Sequence, residues 1–406
     1  TGIRLPWGIL TGVRPIKLLH NLVRELGTDG ADKYFREKLL VTEQKTKLAL
    51  TTEKNERKIL ELSKPDSFSL YISVPFCPTR CSYCSFVSQS IEKAKKLVEP
   101  YLDLLCQEIK YTAEIAKELN LRLETVYIGG GTPTTFSAEQ LTKLITAINA
   151  SFDMKKCREF TIEAGRPDSI TREKLEVMYN HGVRRISVNP QTMQQKTLDL
   201  IGRKHTVEQT IEAFRLARHV GFDNINMDLI IGLPGENEDD FRDTLHRIKE
   251  LNPDSLTIHS LVVKRASRLR SVLDEEEKKN SGKADGILSE NDKAAVMEKM
   301  LDIGQKFAKS EGYEPYYMYR QKNSAGHFGS SGQENIGYAR KGKECIYNIL
   351  IMEEKQGILA AGAGASTKKM LADEKVKRCE NVKDITSYIS RVDEMIERKR
   401  QLFSEE

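Results

Sequence analysis

From Leu70 onward the chain alternates short apolar, β-branched runs with longer stretches of helical periodicity. The runs Leu70–Val74, Thr125–Ile128, Glu159–Glu163, Arg185–Val188, Asn224–Ile230 and Ser255–Leu261 predict six strands. Between them, Val98–Leu119, Ala138–Ala150, Arg172–Asn180, Val207–Val220 and Glu238–Glu250 predict helices. Such alternation builds a parallel sheet with helices outside it, and six strands are too few to close a full barrel. The expected fold is α/β, an open partial (β/α)6 barrel, with ligands gathered at the carboxyl ends of its strands.

The flanks read differently. Residues 1–63 predict a helical lead-in: an ordered loop from Trp7 to Pro15, a helix from Ile16 stopped by Gly27, a second over Ala31–Leu40 and a polar third over Thr42–Leu62. Arg14 and Lys17 read there as surface charge or as contacts to an anionic ligand. The barrel is expected over 64–265. A charged, Ser/Gly-containing stretch, 266–290, reads as a linker or lid. Residues 291–406 predict a smaller C-terminal α+β domain associated with substrate. It holds an amphipathic helix (Asp292–Lys309), a Tyr-rich strand (Tyr313–Tyr319) and a C-terminal helix (Ile385–Phe403) whose apolar face should dock on the body. The small residues of Gly362–Ser366 mark a place where backbone passes close to a cofactor or another strand.

Composition narrows the class. The 406 residues, 39% hydrophobic and 30% charged, suffice for a sizeable core, and no apolar run is long enough to span a membrane. The net charge of +5 is modest, and the cations are interspersed with acids, which argues against a nucleic-acid face. An odd count of seven cysteines without a secretory signal points to free thiols and the cytoplasm. Opening on Thr1 suggests a fragment of a longer protein.

The chemistry concentrates after the first strand. Pro75 ends that strand, and Cys77, Cys81 and Cys84 follow on one short loop, with Tyr83 just before the third. Three thiolates so placed suit a metal centre. A structural zinc site needs a fourth ligand, and the remaining cysteines stand singly. A 4Fe-4S cluster with three Cys ligands leaves one iron open, and this is the preferred reading; zinc or an inert thiol cluster are the alternatives.

The other strand ends carry polar groups. Gly129-Gly130-Gly131-Thr132 follows the second strand and exposes backbone amides. Glu163 ends the third and needs a partner, either ribose hydroxyls, a cation or a salt bridge to Arg166. Gln191 follows the fourth strand, Arg203 could return to the same mouth, and Asp228 lies on the fifth.

The CxxxCxxC spacing after a strand resembles the radical S-adenosylmethionine (SAM) superfamily. Further motifs narrow the resemblance: YIGGGTPT at Tyr127–Thr134, VNPQ with IGR, NMDLIIGLPGE at Asn226–Glu236 and GAGAS at Gly362–Ser366. Together they look like the oxygen-independent coproporphyrinogen III oxidase family. PWGILTGVRPIKLL and Tyr316–Asn323 look like its coproporphyrinogen dehydrogenase branch. The resemblance implies that Cys77, Cys81 and Cys84 hold a 4Fe-4S cluster and that Tyr71, Gly130 and Glu163 contact cluster-bound SAM, Tyr71 and Glu163 at the catalytic centre. It implies that Tyr83, Gly131, Thr132, Gln191, Arg203 and Asp228 match the positions for a second SAM. The activity implied is oxidative decarboxylation of coproporphyrinogen III propionates to vinyl groups through a 5′-deoxyadenosyl radical. A reductant such as flavodoxin or ferredoxin would feed the cluster. Phe86, where the oxidase has a further Cys, instead resembles the haem-chaperone and methyltransferase branches.

A macrocycle with four carboxylates wants guanidinium forks, so Arg320 and Arg340 are expected to bind propionates. His327, in a Gly/Ser-rich loop, reads as solvated more readily than as a haem ligand.

Overall fold

The computed structural model describes residues 5–84, 88–261, 290–320, 334–371 and 375–404. Phe86, His327 and nearly all of the expected lid lie outside these residues.

The lead-in comprises α1 (Pro15–Lys33) and α2 (Glu43–Leu60). Gly27, at φ +71°, interrupts α1 without ending it, so the expected second helix merges with the first and closes in a wider π turn, Tyr34–Lys38. Thr42 caps α2 by accepting from Lys45 N.

The barrel strands are β1 (Ser67–Val74), a short pair β2 (Phe76–Cys77) and β3 (Gln89–Ser90), then β4 (Arg122–Gly130), β5 (Glu159–Gly165), β6 (Arg185–Val188), β7 (Ile225–Ile231) and β8 (Ser255–Ser260). Between and around them run α3 (Ile91–Ala94), α4 (Val98–Glu118), α5 (Ala138–Ser151), α6 (Arg172–Asn180), α7 (Gln195–Leu200), α8 (Val207–Val220) and α9 (Glu238–Leu251). Capping boxes at Ser137, Thr206 and Asn237 start α5, α8 and α9, which is why their beginnings are legible in the sequence.

The C-terminal residues supply α10 (Glu290–Ser310), β9 (Glu314–Arg320), β10 (Glu334–Ala339), α11 (Ile346–Glu353), β11 (Gly357–Ala361), β12 (Ser366–Met370) and β13 (Val376–Glu380). They end in α12 (Ile385–Ser390) and α13 (Val392–Ser404), two helices where one was expected. This α+β region does not build a sheet of its own. Its strands extend the barrel sheet at both edges, in the order β13-β12-β11-β1-β4-β5-β6-β7-β8-β10-β9. The six core strands are parallel, β11 joins β1 in parallel, and the outer strands are antiparallel. An open sheet edge invites aggregation, and here the edge at β9 is covered by the lead-in: Arg320 N donates to Val13 O at 2.8 Å, and α2 packs along β9.

Strand alternation sorts the sheet into two chemistries. One face carries Leu70, Ile72, Val126, Ile128, Ile162, Ile186, Met227, Leu229, Leu256 and Ile258, all buried in one core with α4, α5, α8 and α9. The other carries Ser69, Tyr71, Thr125, Tyr127, Glu159, Glu163, Arg185, Ser187, Asn226, Asp228, Ser255 and Thr257, aligned by register across the strands. Many of these polar groups pair with one another: Ser69 Oγ lies 2.7 Å from Thr125 Oγ1, Ser255 Oγ donates to Asn226 Oδ1 at 3.0 Å and Arg185 Nη2 to Ser255 Oγ at 3.2 Å, while Ser187 Oγ and Arg185 Nε have no hydrogen-bond partner. Such pairing lowers the cost of burying a polar wall.

Candidate functional site

β1 delivers the chain to Pro75, and the cysteine loop then folds across neighbouring strand ends. Its anchors are specific. Thr79 Oγ1 donates to Gly202 O at 3.3 Å, and Ser82 donates to Ile201 O through both N (3.1 Å) and Oγ (3.2 Å). Arg203 Nη1 donates to Tyr83 Oη at 2.9 Å while Nη2 reaches Asn189 O at 2.7 Å and Gly165 O at 3.3 Å. One buried guanidinium thus ties the cysteine loop to the ends of β5 and β6.

The glycine loop packs against the same segment. Gly131 N donates to Val74 O at 2.8 Å and Thr132 N to Phe76 O at 2.7 Å. A Cβ on Gly131 would come within 2.5 Å of Phe76 O and 2.8 Å of Val74 O, so only glycine lets the two segments approach. Gly130 sits at φ +102°, which also favours glycine. Thr132 Oγ1 in turn lies 3.6 Å from Cys77 Sγ, and Arg166 Nη1 lies 3.9 Å from Cys81 Sγ and 3.0 Å from Thr79 Oγ1.

The three thiols are in no disulfide and are half-buried. The three sulfurs do not form a group of ligand atoms mutually within 4.8 Å; among the described residues the one such group of His, Cys or carboxylate side chains is elsewhere.

Glu163 stands on the inner wall beside this loop. Its partner is not Arg166, which forks onto Asp168 at 2.9 and 2.7 Å, but Tyr127, whose hydroxyl donates to Glu163 Oε1 at 2.5 Å. Burial pushes the Glu163 carboxyl up to about 7, with the Tyr127 hydrogen bond opposing and the Asp228 charge adding to the rise. Tyr71 stacks on Tyr127 at 6.3 Å and on Tyr347 of α11 at 6.2 Å, and Tyr127 on Tyr347 at 4.5 Å. Burial raises the Tyr71 and Tyr83 phenols, so both stay protonated.

Gln191 is held at φ +71° although it is not glycine, and it bridges to β7: its N donates to Asp228 O at 3.0 Å and its O accepts from Ile230 N at 2.9 Å. Strained backbone at a strand end marks a place where neighbouring structure overrides local preference. Burial alone would raise the Asp228 carboxyl, but His259, with Nε2 3.8 Å away, and the hydrogen bond from Asn226 Nδ2 at 2.7 Å hold it below the usual range.

Cys77, Cys81, Cys84, Tyr83, Gly130, Gly131, Thr132 and Arg203 therefore meet at one end of the sheet, with Tyr71, Glu163, Gln191 and Asp228 on adjoining strands. The two candidate propionate ligands do not join them. Arg340 follows β10 beside the start of β8, and its guanidinium donates to Glu311 O (3.0 Å) and Asn252 Oδ1 (2.5 Å) over the Tyr313 ring. Arg320 lies on edge strand β9, and its guanidinium donates to Leu10 O and, at 3.3 Å, to Gly12 O. Arg340 is thus held by one carbonyl and one side-chain amide and Arg320 by two carbonyls through Nη1, with its buried Nε unpartnered; an Arg beside tyrosines reads alike in sequence whether it binds ligand or locks a loop. Arg14 and Lys17 likewise form ion pairs with Glu354, at 2.6 and 3.0 Å. Sequence reasoning missed Tyr127, Arg166, His259 and Tyr347. Tyr127 was findable, because it falls two residues before Gly129 on the same strand face as Tyr71.

A family model described as the Radical SAM superfamily matches residues 71–248. The chain is 41% identical to the oxygen-independent coproporphyrinogen-III oxidase-like protein HemZ of Bacillus subtilis, over 99% of this chain and 79% of that protein. It is 39% identical to the heme chaperone HemW of the same organism, over 48% of this chain and 50% of that protein. Among solved structures, coproporphyrinogen III oxidase HemN of Escherichia coli, a radical SAM enzyme, superposes with a TM-score of 0.62 over 84% of this chain and 72% of its own, at 23% identity. That last likeness is one of fold.

Proposed function

The chain belongs to the radical SAM superfamily and, within it, to the oxygen-independent coproporphyrinogen III oxidase family, and from that membership we propose that it oxidatively decarboxylates coproporphyrinogen III. Two propionates would become vinyl groups, giving protoporphyrinogen IX in haem biosynthesis. The observation that carries this reading is the likeness to HemZ, 41% identical along nearly the whole chain, whereas the haem chaperone matches at 39% over half of it or at 25% over 76%.

Cys77, Cys81 and Cys84 would hold a 4Fe-4S cluster, and Tyr71, Gly130 and Glu163 would contact SAM. When bound, these groups supply reductive cleavage of the sulfonium and a 5′-deoxyadenosyl radical that takes hydrogen from substrate. The chain's own residues do the positioning. Thr132 and Arg166 reach the sulfurs of Cys77 and Cys81 and steady their positions. Glu163, deprotonated above about pH 7, offers a carboxylate to hydroxyl donors. The stacked rings of Tyr71, Tyr127 and Tyr347 form an apolar wall beside it and exclude water. Gln191, Asp228 and the Arg203–Tyr83 pair support a second SAM seat on the adjoining strand ends. No helix among the described residues is long and apolar enough to cross a membrane, and a cytoplasmic enzyme fed by a flavodoxin or ferredoxin is the accompanying proposal.

The test is anaerobic. The cluster is reconstituted, reductant, SAM and coproporphyrinogen III are added, and 5′-deoxyadenosine and tetrapyrroles are followed by mass spectrometry. Loss of two carboxyl groups that depends on Cys77, Cys81 and Cys84 is expected. Deoxyadenosine formed while the porphyrinogen stays intact would retain the cofactor assignment and defeat the substrate assignment, in favour of a haem-handling or methyl-transfer role.

A further inference from the structure

Outside the barrel mouth, one buried cluster of ligating side chains is left without an account. His20 of α1 meets Glu53 and Glu56 of α2 and Glu353 at the end of α11. Nδ1 lies 3.0 Å from Glu53 Oε1, and Nε2 lies 3.2 Å from Glu56 Oε2 and 3.7 Å from Glu353 Oε2. Glu56 is wholly buried, and its second oxygen, Oε1, has no hydrogen-bond partner. Because the two oxygens of a carboxylate share one carbon, that unpartnered atom belongs to the same cluster.

The nearby cations are committed elsewhere. Arg57 forks onto Glu53 at 2.8 and 2.6 Å, and Arg14 and Lys17 pair with Glu354. One imidazole edge therefore faces two buried carboxylates, and Nε2 can give a proton to one of them at most. Leaving the other unmatched is expensive in the interior.

We propose that His20 Nε2, Glu56 and Glu353 hold a divalent transition-metal ion that clamps α1, α2 and α11 together. The arrangement has the features of a built site. The three ligand atoms lie within 4.8 Å of one another. Ligands at roughly 2.0–2.2 Å from one ion stand about 3.0–3.6 Å apart, close to the spacing here. Glu53, itself fixed by Arg57, accepts from Nδ1–H and so sets the tautomer that leaves Nε2 free to ligate, as outer-shell carboxylates do at histidine-bound metals. One imidazole with two carboxylates suits Mn2+, Fe2+ or Zn2+. The clamp acts on the catalytic end through α11: Glu353 is its last residue, while Tyr347 near its start stacks on Tyr71 and Tyr127.

Mn2+ is the probe, since thiolates bind it poorly and the cysteine loop will not compete. The anaerobic, cluster-loaded full chain is titrated with Mn2+, free ion is read by electron paramagnetic resonance, and Zn2+ is then added as competitor. One Mn2+ per chain, displaced by Zn2+, is expected. Glu56→Gln and Glu353→Gln should each weaken it by about tenfold or more with cluster iron unchanged, while Glu354→Gln leaves it intact. Mn2+ should also raise the melting temperature of the wild type and not of Glu56→Gln. A wild-type chain that takes up no Mn2+ or Zn2+ at millimolar concentration overturns the proposal whatever the variants do. So does Glu353→Gln binding as tightly as wild type.

Discussion

The Tyr127 hydroxyl donates to Glu163 Oε1 across 2.5 Å, two neighbouring strands apart in sequence but adjacent on the inner wall of the sheet. Burial raises the Glu163 carboxyl to about 7, and this hydrogen bond is what opposes the rise. Tyr127→Phe should therefore push Glu163 higher still, by about one unit. The acid limb of the pH profile for 5′-deoxyadenosine formation should move up with it. A limb that stays near pH 7 in the variant would break the link between this pair and the activity.

Glu163 also makes a stability prediction. Its native value lies above the ordinary 4.5, so between those two pH values the folded chain holds a proton that the unfolded chain has released. Stability from this group is full below pH 4.5 and falls as pH rises through about 7. Glu163→Gln removes the penalty and should stabilise the fold at pH 8 by up to about 3 kcal/mol while abolishing activity. Denaturant melts at pH 5 and pH 8 test it: the gain should appear at the higher pH.

Gly131→Ala would drive a methyl group into the carbonyl oxygens of Val74 and Phe76. A cost of roughly 1–3 kcal/mol is expected, with displacement of Cys77 and less iron retained after reconstitution. Iron analysis alongside thermal melting checks both halves.

Arg166 Nη1 lies 3.9 Å from Cys81 Sγ and places a cation beside it. Arg166→Gln should lower the cluster's reduction potential, on the order of 50 mV, because added negative charge loses a compensating donor. Potentiometric titration followed by electron paramagnetic resonance measures the shift.

Glu108 of α4 is fully buried and accepts from Tyr388 Oη (2.5 Å), Asn381 Nδ2 (2.7 Å), Gly362 N (2.7 Å) and the Lys399 ammonium. It fastens α12, α13 and the Gly362 turn to the barrel. Glu108→Ala leaves Lys399 buried and unmatched, so a loss of about 3–5 kcal/mol is expected. Equilibrium unfolding reads it directly, and a loss under 1 kcal/mol would remove the network from any account of stability.

Much of this molecule could be read locally. The helices Arg172–Asn180 and Val207–Val220 and the strand Arg185–Val188 fall where periodicity and caps predict, because those signals depend on neighbours in sequence. The cysteine spacing and the glycine loop were legible for the same reason: a strand end followed by a constrained loop is a local object. The small residues at Gly362–Ser366 also met the close approach they implied, since a Cβ on Gly362 would lie 2.5 Å from Ser73 O.

Tertiary structure decided the partners. Glu163 could have paired with Arg166 three residues away and instead met Tyr127, because strand register rather than proximity in sequence sets who faces whom. Arg320 and Arg340 carried the composition of anion ligands, and packing turned both onto backbone carbonyls. The helix expected over Thr42–Leu62 is polar, yet its Glu53 and Glu56 are buried beside α1 and α11. The C-terminal strands read as a separate unit and joined the barrel sheet, since an edge with unpaired amides is stabilised by whichever strand can reach it. Periodicity determined which residues face inward; only the fold determined what they meet there, because hydrogen bonds and ion pairs between distant elements leave no mark on local pattern.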